Sequence, residues 1–283
     1  KSAEYRVLDA RQRAVKVITN ASYGYTGWIG ARWYIKPVAE AATAWGRHSI
    51  LNTIGLAEEI GLEVIYSDTD SVFVRYEPDK VEKLSGVISE KFGLEMKPDR
   101  IYVRILFTEA KKRYCGLLPD GRLDTVGLEV VRGDWAGVAK NVQERVLEII
   151  LKEQTPQKAA KFVSQFISDL RERKVPYKNL VIWKTLTKPV EEYAVKAPHV
   201  EAAKKLMEEG WALSLGDKIG YVIVVGSGRL YEKAIPYVLA SYDEVDIEYY
   251  VSNQVVPAAS RILTLFGITE DTLMSSRPTC LVG

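Results

Sequence analysis

The reading of this chain turns on Gly61-Leu62-Glu63-Val64-Ile65-Tyr66-Ser67-Asp68-Thr69-Asp70-Ser71-Val72-Phe73-Val74-Arg75. Two runs rich in β-branched and aromatic residues, Leu62 to Tyr66 and Ser71 to Arg75, flank a polar segment with turn chemistry, which predicts a β-hairpin. Its tip carries two carboxylates, Asp68 and Asp70. Strand side chains alternate between faces, so residues two apart share a face while the segment stays extended. Strand pairing on either side would hold both aspartates on a stiff support. Such a pair suits a divalent cation, because Mg²⁺ takes oxygen ligands, keeps several waters and is commonly held by one or two carboxylates plus substrate phosphates. Turn chemistry alone also accounts for two aspartates, whose side chains bond to nearby backbone amides. The rest of the chain has to separate these readings.

With 283 residues and 47% hydrophobic content, the chain can bury a core as one large domain or two modest ones. A net charge of +2 neither demands nor excludes a polyanionic partner, so any nucleic-acid face must come from local clustering. Cys115 and Cys280 lie far apart with no short-spaced partner, which argues against a disulfide framework or a zinc site and fits a reducing, cytoplasmic or nuclear setting. Neither His48 nor His199 has a metal-ligand partner at helical spacing. No apolar run is long enough to span a bilayer, no signal-peptide pattern is present, and the first residue is Lys1 rather than Met, which leaves the polypeptide's start open.

Glu4 to Tyr23 predicts a helix with two different faces: Val7, Ala14, Ile18 and Ala21 on one side, and Asp9, Arg13, Lys16, Asn20 and Tyr23 on the other. Lys16, Asn20 and Tyr23 are stacked about one turn apart. Gly24, Gly27 and Gly30 are expected to let this helix turn into the next, Ile35 to Ile60, which has Pro37 near its start and Gly61 at its end. Trp33 and Trp45 are expected in the core, because each buries a large apolar area. A helix over Pro78 to Phe92 and strands within Ile101 to Leu118 follow, with the cationic cluster Lys111-Lys112-Arg113-Tyr114 between apolar runs and a Pro119-Asp120-Gly121 turn after them. Beyond Ala136 the pattern becomes mainly helical: Val138 to Lys152, Gln157 to Lys174 behind a Thr155 N-cap and Pro156, and Pro198 to Gly210. Strands are predicted at Leu180 to Thr185 and Ile219 to Val225, and a further helical segment at Tyr249 to Ala258.

Several of these segments resemble one family. Tyr66-Ser67-Asp68-Thr69-Asp70 between two strands resembles motif C of family B DNA polymerases, and Lys16-Val17-Ile18-Thr19-Asn20-Ala21-Ser22-Tyr23-Gly24 resembles motif B, with Ala21 where the family has Ser. Lys111-Lys112-Arg113-Tyr114 and Gly127-Leu128-Glu129-Val130-Val131-Arg132-Gly133-Asp134-Trp135 resemble the palm motif near the primer terminus and the passage from palm to thumb, and the motifs stand in the family's order. The resemblance implies an α+β fold: an antiparallel-sheet palm with packed helices, plus a mainly helical thumb. Its expected divisions are 1–24 as the second fingers helix, 25–133 as palm and 134–283 as thumb. It implies template-directed DNA synthesis by two-metal nucleotidyl transfer, with Asp70 and Asp68 as catalytic metal ligands and Lys16 on the triphosphate. Asn20, Tyr23, Tyr66 and Thr69 would shape the nucleotide pocket. Lys111, Lys112, Arg113, Tyr114 and Arg132 would follow the DNA backbone, which gives affinity with little sequence preference.

The implied cofactor is Mg²⁺, at a site shared with a motif A aspartate that this chain lacks: no Asp-x-x-Ser-Leu-Tyr-like segment precedes Lys16. Implied partners are primer-template DNA, deoxynucleoside triphosphates and an N-terminal polymerase chain or segment carrying motif A and the exonuclease. A membrane is not among them, and the setting expected is a prokaryotic, archaeal cytoplasm. A sliding clamp is a further candidate, although Arg277 to Gly283 carries no aromatic-ended docking tail. The alternative is a non-catalytic scaffold that holds primer-template DNA.

Overall fold

The computed structural model describes residues 2–274. They form two compact units, Lys1–Ile101 and Tyr102–Gly283. The end at Arg277 to Gly283, whose sequence shows no aromatic-ended clamp-docking motif, lies outside the described residues.

The first unit begins with helix α1, Ala3–Gly27, started by Ser2, whose side chain accepts a hydrogen bond from the Tyr5 amide. The helix runs through Gly24 and ends at Gly27, one turn later than the glycines suggested. At Gly27 the chain runs close to the next helix: a Cβ there would sit 3.1 Å from that of Ala39. Helix α2, Lys36–Glu59, carries Pro37 in its first turn and is followed by Gly61 at φ +79°, a left-handed position suited to glycine. Strands β1, Val64–Asp68, and β2, Ser71–Val74, pair antiparallel, with Asp68 opposite Ser71 and Tyr66 opposite Phe73. The register shifts between Val64 and Tyr66, so Ile65 is the bulged residue. Helix α3, Pro78–Phe92, ends at left-handed Gly93.

The core of this unit is small: Ala57, Leu62, Leu84 and Ile88, with Ile60, Val64, Val74 and Phe92 around them. It joins the last turns of α2 to the hairpin and α3. Beyond it the helices are bare. No residue of α1 is buried, and α2 buries only Thr53 and Ala57. The expectation that Trp33 and Trp45 are core residues is corrected here: they are 66% and 68% exposed. The sequence gives them the area to bury, but the described residues bring no surface to cover them. Ala21, on the apolar side of the α1 wheel, is exposed as well.

The second unit opens with a three-stranded antiparallel sheet, β3 (Arg104–Phe107), β4 (Tyr114–Leu117) and β5 (Leu123–Val126). The β4–β5 turn is closed by Gly121 at φ +82° and by Asp120, whose carboxylate accepts from the Arg122 amide. Helix α4, Gly137–Glu148, runs on through a π-helical turn at Ile149–Glu153. In helix α5, Pro156–Arg171, Thr155 holds the N-cap position, but its hydroxyl donates to the Glu153 carbonyl rather than capping the helix. A second antiparallel sheet contains β6 (Ile182–Thr185), β7 (Lys218–Ile223) and β8 (Ala234–Pro236), with helix α6, Pro198–Glu208, packed on it. Strand β8 was not read from the sequence: three residues with a proline carry no usable periodicity. Helices α7, Ile247–Tyr250, and α8, Val256–Leu263, are joined by a π-helical turn at Val251–Val255, just before Pro257, which has no N–H to donate. One continuous apolar core, including Leu128, Val142, Leu147, Ile167, Ile219, Val255 and Ile262, connects the sheets to the helices.

Candidate active site and nucleic-acid interface

The acidic turn is held by its own backbone. The Asp70 amide donates to the Asp68 carbonyl at 2.6 Å and the Ser71 hydroxyl donates to the same oxygen at 3.1 Å. Thr69 adopts φ +46°, a left-handed conformation in which a β-branched residue is an outlier, and its hydroxyl donates to Asp68 Oδ1 at 2.9 Å. Asp68 and Asp70 thus come together in one tight turn at the end of a paired hairpin, and Asp70 is exposed. The Tyr66 ring packs on Phe73 across the hairpin, with centroids 5.6 Å apart.

Lys16, Asn20 and Tyr23 are all exposed along α1. That helix packs on α2, which in turn packs on β1 and β2. The described residues contain no group of three or more His, Cys, Asp or Glu side chains placed to hold a metal. Asp68 and Asp70 supply hard oxygen donors of the type Mg²⁺ takes, but only two of them, so the donor set fits this cation as one part of a site.

In the second unit, Lys111 and Lys112 project from the loop between β3 and β4, and Tyr114 begins β4 with its ring 5.7 Å from that of Phe107. The loop is fixed from below. Lys112 is left-handed at φ +62°, and its carbonyl lies against Gly127, itself at φ +67°, where any Cβ would collide with it. Thr108 anchors the other side, its amide and hydroxyl both donating to the Arg113 carbonyl at 3.1 Å. Arg132 turns its fork onto Asp134, at 3.2 and 3.1 Å. This pairing holds the Asp134 carboxyl below the usual carboxylate range and pushes the arginine up.

Sequence reasoning missed what lies beneath Arg113. Glu129 is wholly buried, with Gln143 of α4 and Arg261 of α8 beside it. The motif around Glu129 was legible, but Gln143 and Arg261 sit on ordinary amphipathic helices, where nothing in the periodicity marks them. Cys115 is buried in β4 beside Thr125, and burial pushes its thiol up to about 11. His199 packs edge-on against Tyr193, and burial lowers its pKa. No described helix is long and apolar enough to cross a membrane.

The structure defines an α+β class of protein with an acidic hairpin in its first unit and a basic loop in its second, and comparison with known proteins narrows it. The model of DNA polymerase family B matches residues 1–266. DNA polymerase 2 of Aeropyrum pernix is 53% identical over 272 residues, 96% of this chain and 34% of the relative. A DNA polymerase of Archaeoglobus fulgidus is 43% identical over 294 residues, 97% of this chain and 38% of the relative. Among solved structures, the family B DNA polymerase of Pyrobaculum calidifontis superposes with a TM-score of 0.66 at 46% identity, covering 95% of this chain and 35% of that one. The chain belongs to DNA polymerase family B. It spans about a third of the length of the curated relatives it matches.

Proposed function

We propose that this chain is the C-terminal part of a template-directed DNA polymerase that adds deoxynucleotides to a primer 3′ end and works with an N-terminal chain or segment carrying motif A and the exonuclease. The observation that carries this is the Asp68–Asp70 turn: two carboxylates, strained Thr69 between them, on a paired hairpin in a family B polymerase chain. In this reading Asp70 and Asp68 hold Mg²⁺ together with the partner's aspartate. When bound, the metal neutralises triphosphate charge and makes the primer hydroxyl more acidic. Lys16 supplies a point charge to the triphosphate, while Asn20, Tyr23, Tyr66 and Thr69 line the nucleotide pocket. Lys111, Lys112, Arg113, Tyr114 and Arg132 follow the primer-template backbone, which fixes position without reading sequence. The divisions at 24 and 133 mark fingers helix, palm and thumb by function, whereas the compact units divide after Ile101.

The need for an N-terminal segment draws support from the bare faces of α1 and α2 and from a hairpin whose sheet has only two strands among the described residues. A two-stranded hairpin is marginal by itself, and further strands or a helix normally complete it. A sliding clamp is a candidate partner on family grounds, and a cytoplasmic setting accords with a DNA substrate.

Primer extension with Mg²⁺ and four deoxynucleotides tests the proposal, run on this chain alone and again with the N-terminal part of an archaeal relative. Extension only in the mixture supports it, and in that mixture Asp70→Asn should cut the rate by more than about a hundredfold while leaving duplex binding intact. Robust extension by the chain alone would sink the partner requirement. Unchanged extension by Asp70→Asn would favour the non-catalytic scaffold.

A further inference from the structure

A buried carboxylate is expensive unless charge and hydrogen bonds compensate it, which makes the surroundings of Glu129 informative. Its Oε2 accepts from Gln143 Nε2 at 2.6 Å. Gln143 is itself used at both ends, donating also to the Ala258 carbonyl at 2.9 Å and accepting from the Val130 amide at 3.0 Å. The other oxygen, Oε1, lies 2.8 Å from Arg261 Nε and 3.7 Å from Arg113 Nη1. Both Oε1 and Arg261 Nε are buried, yet neither completes a hydrogen bond, so charge rather than fork geometry holds them together.

Two guanidinium groups thus converge on one carboxylate and leave the cluster with an excess positive charge. The carboxylate is fully buried, but the arginine side chains keep 25% (Arg113) and 32% (Arg261) of their surface exposed. Part of each arginine side chain therefore stays accessible, and Arg113 directly follows Lys111 and Lys112 in the basic loop. Like charges drawn this close are best relieved by a second anion on the open side, and a phosphodiester accepts from guanidinium in that geometry.

We infer that Glu129 is a positioning residue that presents Arg113 and Arg261 as a joint contact for the DNA backbone, extending the basic loop onto helix α8. Arg261 then contacts a phosphate directly, and Glu129 acts through both arginines. This rests on the reading of the chain as a primer-template binding module.

The test is anisotropy of a fluorescein-labelled primer-template duplex titrated with the full chain over a salt series, with a thermal melt for each variant. The double variant Glu129→Gln/Arg261→Gln removes one charge of each sign, so net charge is unchanged, and the remaining Arg113 keeps a quarter of its side chain open to solvent. We expect a melt close to the parent's, binding about tenfold weaker at about 0.1 M salt, and a slope of log affinity against log salt shallower by about 0.9. A folded double variant with the parent's affinity and slope overturns the inference alone, because the network would then be structural only. A parent chain that does not bind the duplex overturns the module reading and this inference with it.

Discussion

The two units of this chain are built from similar amphipathic patterns and use them differently. In the second unit the apolar stripes of α4, α5 and α8 meet one another and two sheets, giving a continuous core from Leu106 to Leu273. In the first unit, α1 is the longest helix among the described residues at 25 residues and buries none of them, and Ile18, on its apolar side, is 68% exposed. The residues proposed for chemistry, Lys16, Asn20, Asp68 and Asp70, all lie in the weakly cored unit, and those proposed for backbone contact, Lys111 to Tyr114 and Arg132, in the well-cored one. Under the proposed function, the apolar face of α1 left exposed among the described residues is where the N-terminal part docks.

The largest effect that could break this contrast is on stability. Leu147→Ala or Ile262→Ala, both wholly buried, should destabilise the second unit by about 2–5 kcal/mol, whereas Ile18→Ser should change the melt of the chain by less than about 0.5 kcal/mol. Calorimetry on the three variants checks this, and a large loss from Ile18→Ser would show that α1 is packed after all. In the reconstituted mixture the same Ile18→Ser should weaken complementation by the N-terminal part.

Next in size is the backbone fit beneath the basic loop. Gly127→Ala adds a Cβ against the Lys112 carbonyl at a left-handed position, which should cost about 1–3 kcal/mol and weaken duplex binding by displacing Lys111 and Lys112. Gly24→Ala on α1 meets no atom within 4 Å and should be neutral or slightly stabilising, so the pair of glycines separates the units by urea midpoint.

The smallest effect is on pH. Burial lowers the His199 pKa, so the folded state favours the neutral ring; that contribution is complete above the unfolded value near 6.5 and is lost as pH falls toward the folded pKa. The melting temperature of the second unit should therefore decline modestly below about pH 6.5, and His199→Gln should flatten that limb before the carboxylates titrate. Asp134, Glu148 and Glu248, each held down by a cationic partner, contribute above about pH 4 and are lost below it. An unchanged limb in His199→Gln would assign it to other groups.

The sequence alone determined most of the element list and the family. The hairpin, the Pro78–Phe92 helix, α6 and the Gly121 turn follow from local chemistry: turn residues, proline at helix starts and alternation along short strands. The nominated site residues are equally local, because a motif fixes them within a few positions of one another. Tertiary structure decided burial and pairing. Trp33 and Trp45 read as core because hydrophobic area says how much a residue gains by burial, and only the fold says whether a surface is there to cover it. The convergence of Arg113 and Arg261 on Glu129 joins side chains that are neighbours only after folding, the two arginines 148 positions apart in sequence number. Periodicity records which face of a helix is apolar, and it carries no information about which distant charge that face will meet.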